Sequence, residues 1–172
     1  MKGIIFFLLV IISAIKIDAQ KNQDPCSAPE AGQFDFWIGD WNLEWRDQKG
    51  EILHGSNSVR KILGSCVIEE NFKDEAAPPF MGKSHSVYNN KISKWQQTWV
   101  DNQGGYLDFT GGFSDGKMIL SRALISKNGT KIRQRMVFFN ISKDSFTWDW
   151  ENSTDDEKTW NLLWRINYKR KN

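Results

Sequence analysis

Nine Trp, eleven Phe and three Tyr occur among 172 residues, of which 40% are hydrophobic and 26% charged. A chain this aromatic is not disordered, its four Pro and thirteen Gly are too few for a low-complexity sequence, and its length suits one globular domain. The formal charge of +2, from 23 basic and 21 acidic residues, gives no electrostatic ground for nucleic acid as a partner.

Residues 1–19 read as a secretion signal: Lys2 supplies the positive start, Ile4 to Ile12 an unbroken apolar run, and Ala19 a small residue at the cleavage position. The run is shorter than the roughly 20 apolar residues a membrane span needs, so no membrane span is expected. The predicted product is an exported protein, periplasmic or secreted, cleaved near Ala19. It is expected to be a monomer or dimer. A polar leader follows over 20–32, and 33–172 forms the predicted domain. Export would place Cys26 and Cys66, the two cysteines, in an oxidising compartment. They form either one disulfide or two free thiols. A bridge would close a loop of about 40 residues, for which the chain-entropy estimate is roughly 4 kcal/mol.

Beyond the leader, turn chemistry recurs every 8–14 residues, at Asp47–Gly50, Pro78-Pro79, Asn89–Lys91, Asn102–Gly105, Ser114–Gly116, Lys127–Gly129, Ser142–Asp144 and Asp155–Glu157. The intervening runs alternate, as in Trp41-Asn42-Leu43-Glu44-Trp45, Trp95-Gln96-Gln97-Thr98-Trp99 and Phe146-Thr147-Trp148-Asp149-Trp150. Short alternating strands between tight turns predict an all-β fold, and about ten strands joined by hairpins predict an antiparallel up-and-down barrel, which removes its edges by closing. Phe34 to Trp41 breaks the alternation. Its apolar positions 34, 37, 38 and 41 fit a short N-terminal helical turn that plugs one end of the barrel.

Gly39-Asp40-Trp41, after a helical turn and before a strand, resembles the G-x-W signature of lipocalin-like (calycin) barrels. That resemblance implies that Trp41 closes one barrel end beneath a basic residue of the last strand, here Arg165. The longer strings Phe34–Trp41, Cys66–Phe72, Gly82–Tyr88 and Trp95–Asp101 are similar to an exported bacterial family of uncharacterised function, the DUF1579-type proteins. The similarity spans about Phe34 to Tyr168 and implies a calycin-like barrel without implying a reaction. Ser153-Thr154-Asp155-Asp156-Glu157-Lys158-Thr159-Trp160 resembles a single Asp box, with Glu157 where Gly is expected. It predicts a strained hairpin in which Asp155 caps backbone amides and Trp160 packs under the turn.

Residues 95, 97, 99 and 101 share one strand face, placing Gln97 and Asp101 between indoles. If that face points inward, it suits a small amphiphilic ligand; the alternative is that these polar groups satisfy one another and the indole N–H groups. Ser84, Ser86 and Tyr88 share a face of the preceding strand and would pair beside it, while Trp148 and Trp150 point together on a later one. The expected ligand contacts are therefore Ser84, Ser86, Gln97, Trp99, Asp101, Trp148 and Trp150. A cavity enzyme of lyase or isomerase type would use Glu70, its pKa raised by apolar neighbours, with Tyr88 and Arg135. The plainer alternative pairs Glu70 with Arg133 or Arg135. A third possibility is a carbohydrate-binding platform of outward Trp. His54 and His85, the only histidines, lie too early for the haem ligand of related barrels. No cofactor or metal site is expected.

Overall fold

The computed structural model describes residues 26–171; the predicted secretion signal and the start of the predicted leader lie outside the described residues. Two single turns of 3-10 helix, Pro29–Gly32 and Asp35–Trp37, lead into ten strands: β1 (Gly39–Arg46), β2 (Ile52–Ile62), β3 (Val67–Asp74), β4 (Met81–Asn89), β5 (Lys94–Asp101), β6 (Tyr106–Ser114), β7 (Lys117–Ile125), β8 (Lys131–Phe139), β9 (Ser145–Ser153) and β10 (Asn161–Arg170). Each strand pairs antiparallel with its sequence neighbours, and β1 pairs with β10, so the sheet is a closed up-and-down barrel. The alternation in the sequence is the cause. In β1, Trp41, Leu43 and Trp45 are buried while Asn42, Glu44 and Arg46 are exposed, the period-two pattern of a sheet with one dry face.

One barrel end is plugged. Phe34, Phe36 and Trp37 pack on Phe138 at centroid distances of 5.2, 6.1 and 5.2 Å, and Phe34 meets Trp95 edge-on at 4.9 Å. The Trp41 indole N–H donates to the Trp37 carbonyl at 2.8 Å, fastening the plug to the first strand. A disulfide joins Cys26 to Cys66, just before β3, and anchors the leader on the same end.

The basic residue over Trp41 is Arg170, not Arg165. The Arg170 guanidinium lies 4.2 Å from the Trp41 ring centroid and donates to the carbonyls of Ile38 (2.8 Å), Phe36 (3.4 Å) and Lys143 (3.0 Å). Parity explains the difference. Ile166 and Tyr168 are buried inward positions of β10, so Arg170 shares their face and Arg165 faces outward. There it forms a two-bonded pair with the buried Asp149 carboxylate at 2.7 and 2.5 Å. Gly39 completes the lock. Its φ is 143°, and a Cβ there would lie 2.1 Å from Arg170 Nη1, so the glycine of the G-x-W triplet leaves the space the guanidinium occupies.

The seam between β6 and β7 is partly open. Thr110–Ser114 pairs with Lys117–Ser121, and beyond those residues the strands part, leaving Tyr106–Phe109 and Arg122–Ile125 each paired on one side only.

Arg170→Ala removes a cation–π contact and three charge-assisted hydrogen bonds together. It should lower the unfolding free energy by about 2–3 kcal/mol, read as a lower urea midpoint; a loss under about 0.5 kcal/mol would refute the lock.

Candidate functional site

Away from the plug, the inward side chains leave a cavity of about 210 Å³. Trp37, Phe138, Tyr168 and Glu70 line its deep side, and Phe72, Phe80, Trp99, Asp101, Leu107, Trp150 and Trp164 line it toward the opposite end, where the β3–β4, β5–β6 and β9–β10 connections lie. Phe109, Met136, Trp148 and Ile166 complete the wall. The aromatic rings hold one another at steep angles: Trp164 meets Trp148 at 5.7 Å and 90°, Phe72 at 5.8 Å and 83°, and Trp45 at 5.4 Å and 81°. Such contacts add about 0.5–1.5 kcal/mol each beyond area burial and fix the rings relative to one another.

The β2–β4 side of the interior is polar. Glu70 on β3 is buried, and its two carboxyl oxygens accept from different strands: Oε1 from Asn57 Nδ2 on β2 at 2.6 Å, Oε2 from Ser84 Oγ on β4 at 2.6 Å. Asn57 Nδ2 also donates to the Tyr168 hydroxyl at 3.2 Å. Among the described residues no cation faces Glu70, and burial raises its pKa to about 7 against the pull of the Ser84 and Asn57 hydrogen bonds. Burial, then the Glu70 charge, pushes Tyr168 well above the ordinary tyrosine value. Four buried side-chain polar atoms have no partner among the described residues: Asn57 Oδ1, Trp37 Nε1 and, on β7, Arg122 Nε and Nη1.

The inward face of β5 carries Trp95, Gln97, Trp99 and Asp101, as the alternation predicts. Gln97 donates to Ser86 Oγ at 2.9 Å, so these two satisfy each other and neither lines the cavity. Ser84 is likewise a support for Glu70. Trp99 and Asp101 do line it, linked by the indole N–H at 3.1 Å. Asp101 is held below its ordinary pKa: burial opposes ionisation, but N–H groups of Gly105, Trp99 and Gln103 outweigh it. The Trp99 ring occupies the space above Gly82, where a Cβ would fall 2.0 Å from the ring. Trp148 and Trp150 line the cavity as expected.

Glu70, Tyr88 and Arg135 are not brought together. Tyr88 lies toward the plug, against Trp95 at 5.9 Å. Arg135 lies on the outer face of β8, between the inward positions Gln134 and Met136; it pairs with Glu151 at 2.5 Å and stacks 3.8 Å from the Trp160 centroid. Arg133 pairs with Glu157 at 3.4 Å, so neither arginine neutralises Glu70. The proposed acid–base constellation and the Glu70–arginine pair therefore both give way to the Asn57–Glu70–Ser84 arrangement. None of the nine Trp is exposed, which removes the outward sugar platform. Trp160 is half-buried beside the hairpin, covered by Arg135. In that hairpin Asp155 accepts from the Thr159 N–H and hydroxyl and from Ser153 Oγ at 3.0, 2.7 and 2.7 Å, which holds its pKa down near 2. Glu157, where the motif has Gly, takes a φ of 68°, the left-handed conformation that the absent glycine would favour.

Tyr168, Asn57, Trp164 and the phenylalanines of the cavity were not singled out from sequence. Tyr168 and Trp164 share the parity of Ile166, a usable signal. Asn57 sits in the polar run His54–Ser58 and offers none.

No protein-family model matches this chain, and no curated protein matches it. Among solved structures, a de novo designed fluorescence-activating β-barrel is similar at 13% identity, over 80% of this chain and 95% of that one, with a TM-score of 0.43. At that score the likeness carries no argument; the barrel assignment rests on the strand pairing.

A carboxyl with a higher pKa folded (about 7) than its ordinary 4.5 favours the fold when protonated. Its contribution is full below about pH 4.5 and is lost as pH rises through 7. Glu70→Gln abolishes this dependence. Its stability relative to the parent should improve by about 3 kcal/mol between pH 4.5 and 8.5, measured by urea denaturation at both; a pH-independent difference would show that Glu70 titrates normally.

Proposed function

We propose that this is an exported barrel protein, of the DUF1579-type family it resembles, that binds a small amphiphilic molecule in the barrel interior. The observation that carries this reading is the cavity itself: about 210 Å³ of space walled by indole and phenyl rings, with a carboxyl at its deep side. An interior without a guest is normally packed to crystal-like density. An apolar cavity of about 150 Å³ holds benzene, so this one holds a one- or two-ring molecule or a short chain. The disulfide supports the exported assignment, because such bonds persist in oxidising compartments. Binding rather than catalysis is supported by the separation of Glu70 from Tyr88 and Arg135, which lie toward the plug and on the outer face of β8.

The test is intrinsic fluorescence, because Trp99, Trp148, Trp150 and Trp164 line the space. Titration with compact aromatic alcohols and amines should give saturable quenching or a spectral shift. Met136→Trp fills the cavity from β8 at a cost of about 1–3 kcal/mol and should remove the response while the far-ultraviolet circular dichroism remains that of a barrel. An unchanged response in the folded variant would place binding elsewhere.

A further inference from the structure

From the cavity's lining we infer that its ligand is an organic cation, a primary or substituted amine on an apolar skeleton, seated with its ammonium group against Glu70 and its carbon frame among the rings. This rests on the interior-binding reading above and names the chemistry of the guest.

The charges lining the space are of one sign. Glu70 and Asp101 are acidic, and among the described residues no Lys, Arg or His lines the cavity. The inward arginine of β7, Arg122, stacks 5.8 Å from the Phe109 ring and lines a separate polar cleft with Thr98, Asp108 and Thr110. A buried carboxylate with no cation is costly, and the groups around Glu70 do not neutralise it. Asn57 faces it from β2, Ser84 from β4 and Tyr168 from β10; the first two are neutral donors, and Tyr168 stays protonated. Asp101 is the other acid on the wall. Trp37 Nε1 is an unpaired donor but carries no charge.

The rest of the wall is aromatic: Trp99, Trp148, Trp150, Trp164, Phe72 and Phe80 line it, with Trp148 and Phe72 steeply inclined to Trp164. The faces of indole rings carry negative potential, and steeply packed aromatic walls are the arrangement that recognises ammonium groups. A carboxylate ligand would meet Glu70 and those same faces with like-signed potential. A neutral alcohol would hydrogen-bond Glu70 without offsetting its charge. An ammonium group alone satisfies both the carboxylate and the rings.

The seating also moves a proton. Unliganded Glu70 is partly protonated near neutrality; a cation beside it favours the carboxylate, so binding at pH 6.5 releases a proton from Glu70 to solvent, while the amine remains protonated throughout.

Three probes on one skeleton decide the matter: 4-phenylbutylamine, 4-phenylbutan-1-ol and 4-phenylbutanoate, titrated calorimetrically into the full protein at pH 7.5. The amine should bind at least tenfold more tightly than either of the others, and Glu70→Gln should reduce that preference below threefold. Calorimetry of the amine at pH 6.5 in two buffers of different ionisation enthalpy should show proton release, absent for the alcohol; this measurement uses the unaltered protein and stands even if the variant does not fold. Equal binding of amine and alcohol, or tightest binding of the carboxylate, would overturn the cation assignment while leaving interior binding intact. Failure of all three to bind would overturn both.

Discussion

Closing a sheet of ten strands requires the first and last to meet, and here they do so over a short stretch. β1 and β10 pair through Trp41–Glu44 and Asn167–Arg170. Backbone bonds along so brief a seam are reinforced by Arg170, which spans three elements: the ring of Trp41 on β1, the carbonyls of Phe36 and Ile38 at the plug, and the carbonyl of Lys143 in the β8–β9 connection. One guanidinium supplies donors to backbone acceptors that a single plug turn leaves unsatisfied, and it does so only because Gly39 has no side chain. Plug, barrel closure and disulfide-anchored leader therefore gather at one end, and the opposite end is left to form a cavity.

The interior divides by strand. β2 to β5 contribute Asn57, Glu70, Ser84, Ser86 and Gln97, buried and bonded largely to one another, while β8 to β10 contribute Met136, Phe138, Trp148, Trp150, Trp164 and Ile166. The polar half holds Glu70 in place from both sides, which matters because a carboxyl with one free rotamer would turn toward the cavity's open end and solvate itself. Held by Asn57 and Ser84, it stays among apolar groups and keeps its raised affinity for a proton. The aromatic half gives the cavity shape through mutual edge-to-face contacts, so the space persists without a guest rather than collapsing around one.

Most of the architecture was legible because strand periodicity is two and the dry face is aromatic. The inward set Trp95, Gln97, Trp99 and Asp101 follows from alternation alone, as do Trp148 with Trp150 and the burial of Glu70 between Ile68 and Phe72. The same rule, applied to β10, points to Arg170. It is masked by the apolar run Leu162-Leu163-Trp164, where the register with β9 shifts between Leu162 and Trp164 and both leucines are exposed, so the run does not say which parity is inward. Arg135 fails for the same reason: its neighbours Met136 and Val137 are both buried, so the sequence does not say which is inside. Asn57 was invisible on physical grounds. A buried amide looks like a surface amide until its partner from the far end of the chain, here Tyr168 at a separation of 111 residues on the other side of β1, is in place.

The parted ends of β6 and β7 bear on how the protein behaves in a crowd of its own copies. A barrel is protected from sheet-to-sheet association because it has no free edge, yet Tyr106–Phe109 and Arg122–Ile125 each retain one unpaired side, a length sufficient to receive a strand from another molecule. Charge guards that gap. Asp108 stands exposed on one lip, and the Arg122 side chain, with its Nε and one terminal nitrogen buried and unpartnered, lines the cleft beside it. A foreign strand entering there must cover a cation and an anion without supplying the geometry to pair either. Arg122 thus places a charge, poorly satisfied where it sits, beside backbone that would otherwise be an open edge.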